Sequence, residues 1–148
     1  MIVKVTRDIA LIKSIVFHPA IFAHISEDGA SQPEELPDAI YLAGIDNAGV
    51  VVGIFVCIPV SRHVMDVHIH VLPEHRKESA MHFAKACFDW IWDSTPTVKI
   101  CAQVPTCCEN VFNFAKKAGF DVEGVNRRSW KKSGIFFDSW YLGLLRGE

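Results

Sequence analysis

No stretch of this 148-residue sequence holds enough consecutive apolar residues to cross a bilayer as a helix. The longest apolar run, residues 50–60 (VVVGIFVCIPV), falls short of the roughly 18 residues a span needs and is rich in β-branched side chains. No membrane association is therefore expected. The N-terminus, Met1-Ile2-Val3-Lys4-Val5-Thr6-Arg7-Asp8, lacks a basic segment followed by an apolar one, so a cytoplasmic location is expected. There is no C-x-x-C pair, and the five cysteines (Cys57, Cys87, Cys101, Cys107, Cys108) are odd in number, which argues against a disulfide framework. Charge of one sign is lacking too: 15 basic and 17 acidic residues leave a net charge of −2. Arg127, Arg128, Lys131 and Lys132 gather near one turn, as a solvated hairpin or a contact for a small anion. Four cations do not make the broad basic face of a nucleic-acid binder, so no nucleic acid is expected as a partner. Repeats, low-complexity tracts and linkers are also absent. What is present is a chain that is 50% apolar and 22% charged, which excludes disorder as its main state. Its length suits one domain, residues 1–148.

Periodicity predicts the order β, α, α, β, β, β, α, β, α, β, β. The alternation of Ile2–Thr6 predicts a strand. Asp8 is placed to cap a helix over Ile9–Phe17, and a second short helix follows over Ile21–Ile25. Residues 26–38 (SEDGASQPEELPD) are acidic and full of turn formers, and read as a loop and candidate lid. Strands are predicted over Ile40–Ile45, Val50–Val60 and Val64–Leu72, the first two joined by an Asp46-Asn47-Ala48-Gly49 turn. The period then lengthens to that of a helix over His75–Trp92. A strand over Val98–Val104 follows, then a helix capped by Thr106, ending at Gly119. Phe120–Arg128 and Ile135–Leu145 predict a closing hairpin. Hairpins flanking one strand–helix–strand crossover imply an α/β (α+β) fold, a mixed central β-sheet with helices on both faces. The crossover places Val64–Leu72 beside Val98–Val104, parallel.

Few groups stand out as chemical. Cys57 and Cys101 lie in apolar strands and read as core residues. Cys107-Cys108, near a helix start, could have a depressed thiol pKa. Asp66, His68 and His70 alternate along one strand and so share a face. That face admits three readings: a general base, a metal site completed by His63 or His75, or a polar surface under helices or between subunits of a homodimer. No third metal ligand has a recognisable spacing, so no metal is expected. Trp90, Trp92, Trp130 and Trp140 read as packing residues.

Two stretches resemble the GNAT N-acetyltransferase superfamily. Val71-Leu72-Pro73-Glu74-His75-Arg76-Lys77-Glu78-Ser79-Ala80-Met81 is similar to its strand–loop–helix, V-x-P-x-x-R followed by a glycine-rich turn. Ala115-Lys116-Lys117-Ala118-Gly119-Phe120-Asp121-Val122-Glu123-Gly124, with Arg127, Gly134, Asp138 and Tyr141 beyond, resembles its helix-to-strand ending. The resemblance implies a GNAT-like fold and acetyl-CoA as co-substrate. Backbone groups of Val71 would hold the pantetheine arm, and Arg76, Lys77, Glu78, Ser79, Ala80 and Met81 would form the pyrophosphate loop at a helix start. The implied activity is acetyl transfer to the amine of a small molecule or protein. His68, His70 and Tyr141 are the candidate catalytic residues. The sequence departs from the pattern in its loop, where Ser79 and Met81 replace small residues or glycine. By spacing, the usual general base falls on Met65 or Val67 and the usual acid on Ala115, none of which carries a proton. The chain is also similar to short phage-encoded GNAT-like proteins of unassigned role, which implies a second reading: an inactive GNAT-fold protein serving in assembly or interaction.

Overall fold

The computed structural model describes residues 1–147. Strand β1 (Ile2–Val5) leads into helices α1 (Ile9–Val16) and α2 (Pro19–Ile25). Asp8 does cap α1, its Oδ1 accepting from the Leu11 N–H at 3.1 Å. The second helix begins at Pro19 rather than Ile21, because proline's fixed φ and missing N–H suit a first turn. Strands β2 (Ile40–Ile45), β3 (Val51–Pro59) and β4 (Val64–Val71) follow as a meander. A 3-10 turn over Pro73–His75 precedes α3 (Glu78–Ser94), which therefore starts later than the periodicity predicts. Strand β5 (Lys99–Pro105), helix α4 (Glu109–Lys117), and strands β6 (Asp121–Lys132) and β7 (Ile135–Leu145) complete the chain. The cap of α4 is Cys108, not Thr106. The Thr106 N–H is bonded to the Asp138 carbonyl at 2.8 Å, so Thr106 still belongs to the end of the sheet.

All seven strands form one mixed sheet in the order β1-β2-β3-β4-β5-β7-β6. Only β4 and β5 run parallel, as the crossover predicts. The strand period of two sorts the apolar residues into two layers. Tyr41, Ala43, Ile54 and Val56 meet Ile12 and Ile15 of α1 and Ile21 of α2 on one face. Leu42, Phe55, Cys57, Met65 and Val67 meet Phe83, Cys87, Phe88 and Ile91 of α3 and Ala115 of α4 on the other. Gly44 and Gly53 pair across β2 and β3, and the Phe83 ring lies against both. A Cβ on Gly53 would stand 2.4 Å from the His70 carbonyl oxygen and 2.9 Å from the ring. These two glycines form a notch that lets α3 approach the sheet.

The β6–β7 hairpin is longer than its first strand's periodicity suggests. Strand β6 continues past Arg128 to Lys132 through an irregularity between Asn126 and Trp130. Arg128 takes φ +49 there, and its N–H is held by Asp138 Oδ1 at 2.8 Å. The hairpin closes on Ser133 and Gly134, with φ +53 and +77. Positive φ at both central residues matches the twist of the strands it joins.

Candidate active site

The site begins where β4 and β5 part. Their pairing spans only Val64↔Lys99, Met65↔Ile100 and Asp66↔Cys101. Strand β5 then stays with β7 as far as Pro105, while β4 stays with β3 as far as Val71. The result is a fork in mid-sheet. Backbone direction alternates along a strand. Leu72 donates its N–H to Val52 of β3 at 3.0 Å, so the groups of Val71 and Ile69 point the other way, into the fork. The Val71 carbonyl is already engaged by Arg76 Nε at 3.2 Å. The Ile69 groups and the Val71 N–H line one bank of the fork as an unpaired strand edge, a template for an extended amide-bearing ligand.

Beyond that bank lies the start of α3. The N–H groups in the first turn of a helix have no intrahelical partner. Here Ala80 bonds the Lys77 carbonyl at 3.1 Å, leaving the N–H groups of Glu78 and Ser79. Lys77 and Glu78 are exposed, Ser79 and Met81 half-buried, and Ala80 buried. Arg76 turns away from the loop: its Nη2 donates to the Ala20 carbonyl of α2 at 3.2 Å.

On the α1/α2 face, Asp66 stands at the crotch of the fork. Its Oδ2 meets His68 Nε2 at 3.0 Å. A carboxylate only accepts, so the His68 Nε2 carries the proton of this bond. The Cys101 thiol donates to Asp66 Oδ1 at 3.8 Å. Burial and the Asp66 carboxylate push that thiol's pKa up, so it stays a neutral donor. Cys101 is therefore half-buried at the site rather than a core residue, unlike Cys57, which is fully buried. A concavity of about 360 Å³ opens beside this group, lined by Asp66, Cys101, Gln103, Glu123 and Tyr141 among others. Glu123 lies across Gly143 and holds Lys99 Nζ at 2.5 Å. The sequence pattern does not single out Gln103, and it holds Glu123 only as part of the helix-to-strand stretch, with no site role; each sits in a strand whose neighbours in space come from elsewhere in the chain.

His68 and His70 do not have the same surroundings. The His68 side chain is 49% exposed beside Asp66. His70 is only 6% exposed, and its Nδ1 has no hydrogen-bond partner. Burial, with a smaller push from His68, lowers its pKa to about 4, so it is neutral at pH 7. No bulge is needed to present the Asp66–His68 face. The β3–β4 register runs unbroken from Gly53↔Val71 to Pro59↔Met65. Met65, Val67 and Ala115 are buried in the core on the α3 face.

Three expectations need correction. Cys108 is not an activated thiol: burial and its Cys107 neighbour push its pKa up to about 11. Residues 26–38 are not a free lid at their N-terminal end, nor is the Lys131-Lys132 turn simply solvated. Asp28 accepts from the Ser133 and Gly134 N–H groups at 3.0 and 2.8 Å, and Lys132 Nζ donates to the Ala23 and Ser26 carbonyls at 2.7 and 2.5 Å. Among the described residues, no group of three His, Cys, Asp or Glu side chains is placed to hold a metal. No helix of the described residues is long and apolar enough to cross a membrane.

A seven-stranded mixed sheet, split at its one parallel pair and covered by helices on both faces, is the GNAT fold. Solved structures of GNAT-family acetyltransferases superpose on the chain. A spermidine N-acetyltransferase from Vibrio cholerae, in complex with CoA and spermine, matches with a TM-score of 0.83 at 16% identity, over 98% of this chain and 95% of its own. A GNAT-family acetyltransferase from Bacillus anthracis gives 0.64 at 18% identity, over 73% of this chain and 67% of its own. At such identities the likeness is one of fold. No protein-family model matches the sequence, and no curated protein does.

Proposed function

We propose that the chain is an acyl-CoA-dependent N-acyltransferase that moves an acetyl group from acetyl-CoA to an amine. The observation that carries this reading is the fork: one bank offers the Ile69 groups and the Val71 N–H as an unpaired edge, and that bank runs directly into the free N–H groups of α3. An extended arm with amides suits the edge, and a pyrophosphate suits the helix start. Val71 and the loop Arg76, Lys77, Glu78, Ser79, Ala80 and Met81 form the donor side in this reading. Backbone groups and the Lys77 ammonium hold the phosphates, while Arg76 holds the end of β4 in place from behind.

The acceptor enters from the α1/α2 face, where the Asp66 carboxylate in the lining suits an ammonium before it loses its proton, Glu123 being paired with Lys99. The spermine in the Vibrio neighbour's structure makes an amine a reasonable acceptor class here. The neutral amine nitrogen attacks the thioester carbonyl; a C–N bond forms and the C–S bond breaks. His68 Nδ1 takes the amine proton, with Asp66 holding the ring, and Tyr141 supplies a proton to the departing thiolate. His70, buried and neutral, supports the strand and takes no proton in this scheme.

Calorimetry with acetyl-CoA, followed by mass measurement of an amine incubated with both, tests the reading. Binding and a gain of one acetyl group are expected. Absence of binding at millimolar acetyl-CoA would favour the inactive, interaction-type reading, which Ser79 and Met81 in place of loop glycines support. Two variants sharpen the test. His68→Ala should lower kcat by about 100-fold or more with little change in acetyl-CoA affinity. An unchanged kcat would remove His68 from the chemistry. Met81→Gly should tighten acetyl-CoA binding several-fold by clearing the helix start, at about 1 kcal/mol in helix stability. Titration of the folded variant decides it: unchanged affinity would place the pyrophosphate elsewhere.

A further inference from the structure

We infer that a cavity at the β1 side of the sheet is a second ligand site, separate from the fork, and that it takes a small zwitterion: an amine and a carboxylate on one short aliphatic body. The cavity, about 660 Å³, forms where the end of β1, helix α1 and the segment before β2 come together. That volume is ordinary for a small-molecule site. It shares no lining residue with the concavity beside Asp66. In the sheet, β3 separates β2 from β4, so the cavity and the fork belong to different parts of the molecule. The inference stands whether or not the chain is a transferase.

Two bonds fix one wall before any ligand arrives. Lys13 Nζ, on α1, donates to the Glu34 carbonyl at 3.1 Å. The Tyr41 hydroxyl, on β2, donates to the Pro37 carbonyl at 2.6 Å. Burial, with the Asp38 carboxylate adding to it, pushes the Tyr41 pKa up, so the phenol keeps the proton it donates. The segment that the sequence offers as a lid is therefore, at this end, a wall tied to a helix and to a strand. A wall already in place lowers the ordering cost of binding. Apolar surface is at hand as well: Ile12 and Tyr41 are buried in the lining, and Ile9 of α1 stands 60% exposed beside them.

The charges of the lining choose the ligand. Arg7, Lys13, Glu34, Glu35 and Asp38 all contribute to it. Among the described residues the ion pairs are His68–Asp66, Lys99–Glu123 and Lys116–Asp121, so these five do not neutralise one another. The Lys13 ammonium is spent on a backbone carbonyl. That leaves the exposed Arg7 guanidinium for an incoming carboxylate, which its planar fork suits. The three carboxylates suit an ammonium. A simple amine would leave Arg7 unmatched, and a simple carboxylate would meet three like charges. A molecule with both groups meets both signs, and its aliphatic body covers the apolar lining.

The probe is ε-aminocaproate, with caproate and hexylamine as single-charge controls, titrated into the full chain without acetyl-CoA and followed by amide NMR. Signals of residues 5–13 and 34–41 should move, and those of Cys101, Gln103 and Tyr141 should stay. At the moving signals the zwitterion should bind about tenfold more tightly than either control. Arg7→Ala should erase its advantage over hexylamine. Glu35→Gln with Asp38→Asn should erase its advantage over caproate. All three positions are exposed, and thermal melts report that the variants fold. Absence of movement at the cavity with millimolar probe overturns the inference, as does movement confined to the Cys101–Tyr141 concavity. Hexylamine or caproate binding as tightly as the zwitterion overturns it too. So does a folded variant whose preference matches that of wild type.

Discussion

Alanine at Gly53 should lower the stability of the protein by about 3 kcal/mol, a fall of roughly 10 °C in Tm. The new Cβ would lie 2.4 Å from the His70 carbonyl oxygen, and backbone in the middle of a sheet has nowhere to go. Gly44→Ala is the informative companion. The atoms nearest its Cβ all belong to the Phe83 ring, the closest at 2.4 Å. A second change, Phe83→Leu, should therefore recover more of the Gly44→Ala loss than of the Gly53→Ala loss, whose shortest contact is with the His70 backbone. Gly124→Ala, whose Cβ makes an ordinary 3.6 Å contact with Tyr141, serves as the control. Urea denaturation of the set decides the matter: a Gly53→Ala protein as stable as Gly124→Ala would mean that α3 does not sit in the notch.

Acid should unfold the protein through His70. Its pKa is lowered from 6.5 to about 4 in the folded chain, so below pH 6.5 the unfolded chain binds a proton that the folded one refuses. Stability then falls as the pH drops from 6.5 towards 4, by about 3 kcal/mol over that window. Above pH 6.5 the group has no effect on the slope. His70→Leu should flatten that part of the profile. It should also raise stability at pH 7, because Nδ1 is buried without a partner. Chemical denaturation at several pH values from 4 to 8 reads both effects. A His70→Leu profile as steep as wild type between pH 4 and 6.5 would assign the acid sensitivity elsewhere.

How much of this was legible depended on distance along the chain. The strands of the meander and the parallel pairing of β4 with β5 follow from alternation and from one crossover, both local signals. Asp66 and His68 could be placed on one face by parity alone. Parity does not say which face; the register with β3 turns them to the α1/α2 side. The split fate of His68 and His70 was illegible, since it depends on what each meets at the other side of the sheet. The pattern places the cap at Thr106, whereas the Thr106 N–H is taken by Asp138 of β7, a partner the local sequence does not show. The acidic segment after α2 read as a free loop for the same reason. Its partners lie more than a hundred positions away: Glu27 with Lys131, and Asp28 with Ser133 and Gly134. Gly44 and Gly53 gave no signal as ordinary glycines in apolar strands, since the Phe83 ring that explains them belongs to α3.

The short parallel seam has a consequence for how the chain assembles. Residues 1–71 build β1 to β4 through antiparallel neighbours, and residues 99–145 build β5 to β7 in the same way. Each group closes mostly local loops, and the three register pairs between them join segments separated by the whole of α3. Contacts of low sequence separation form early and cheaply in entropy. The two groups are thus natural cooperative units, with the seam as the last and weakest line between them. Amide protons within each meander should share a common opening energy, and those of Met65 and Cys101 at the seam should exchange ahead of both.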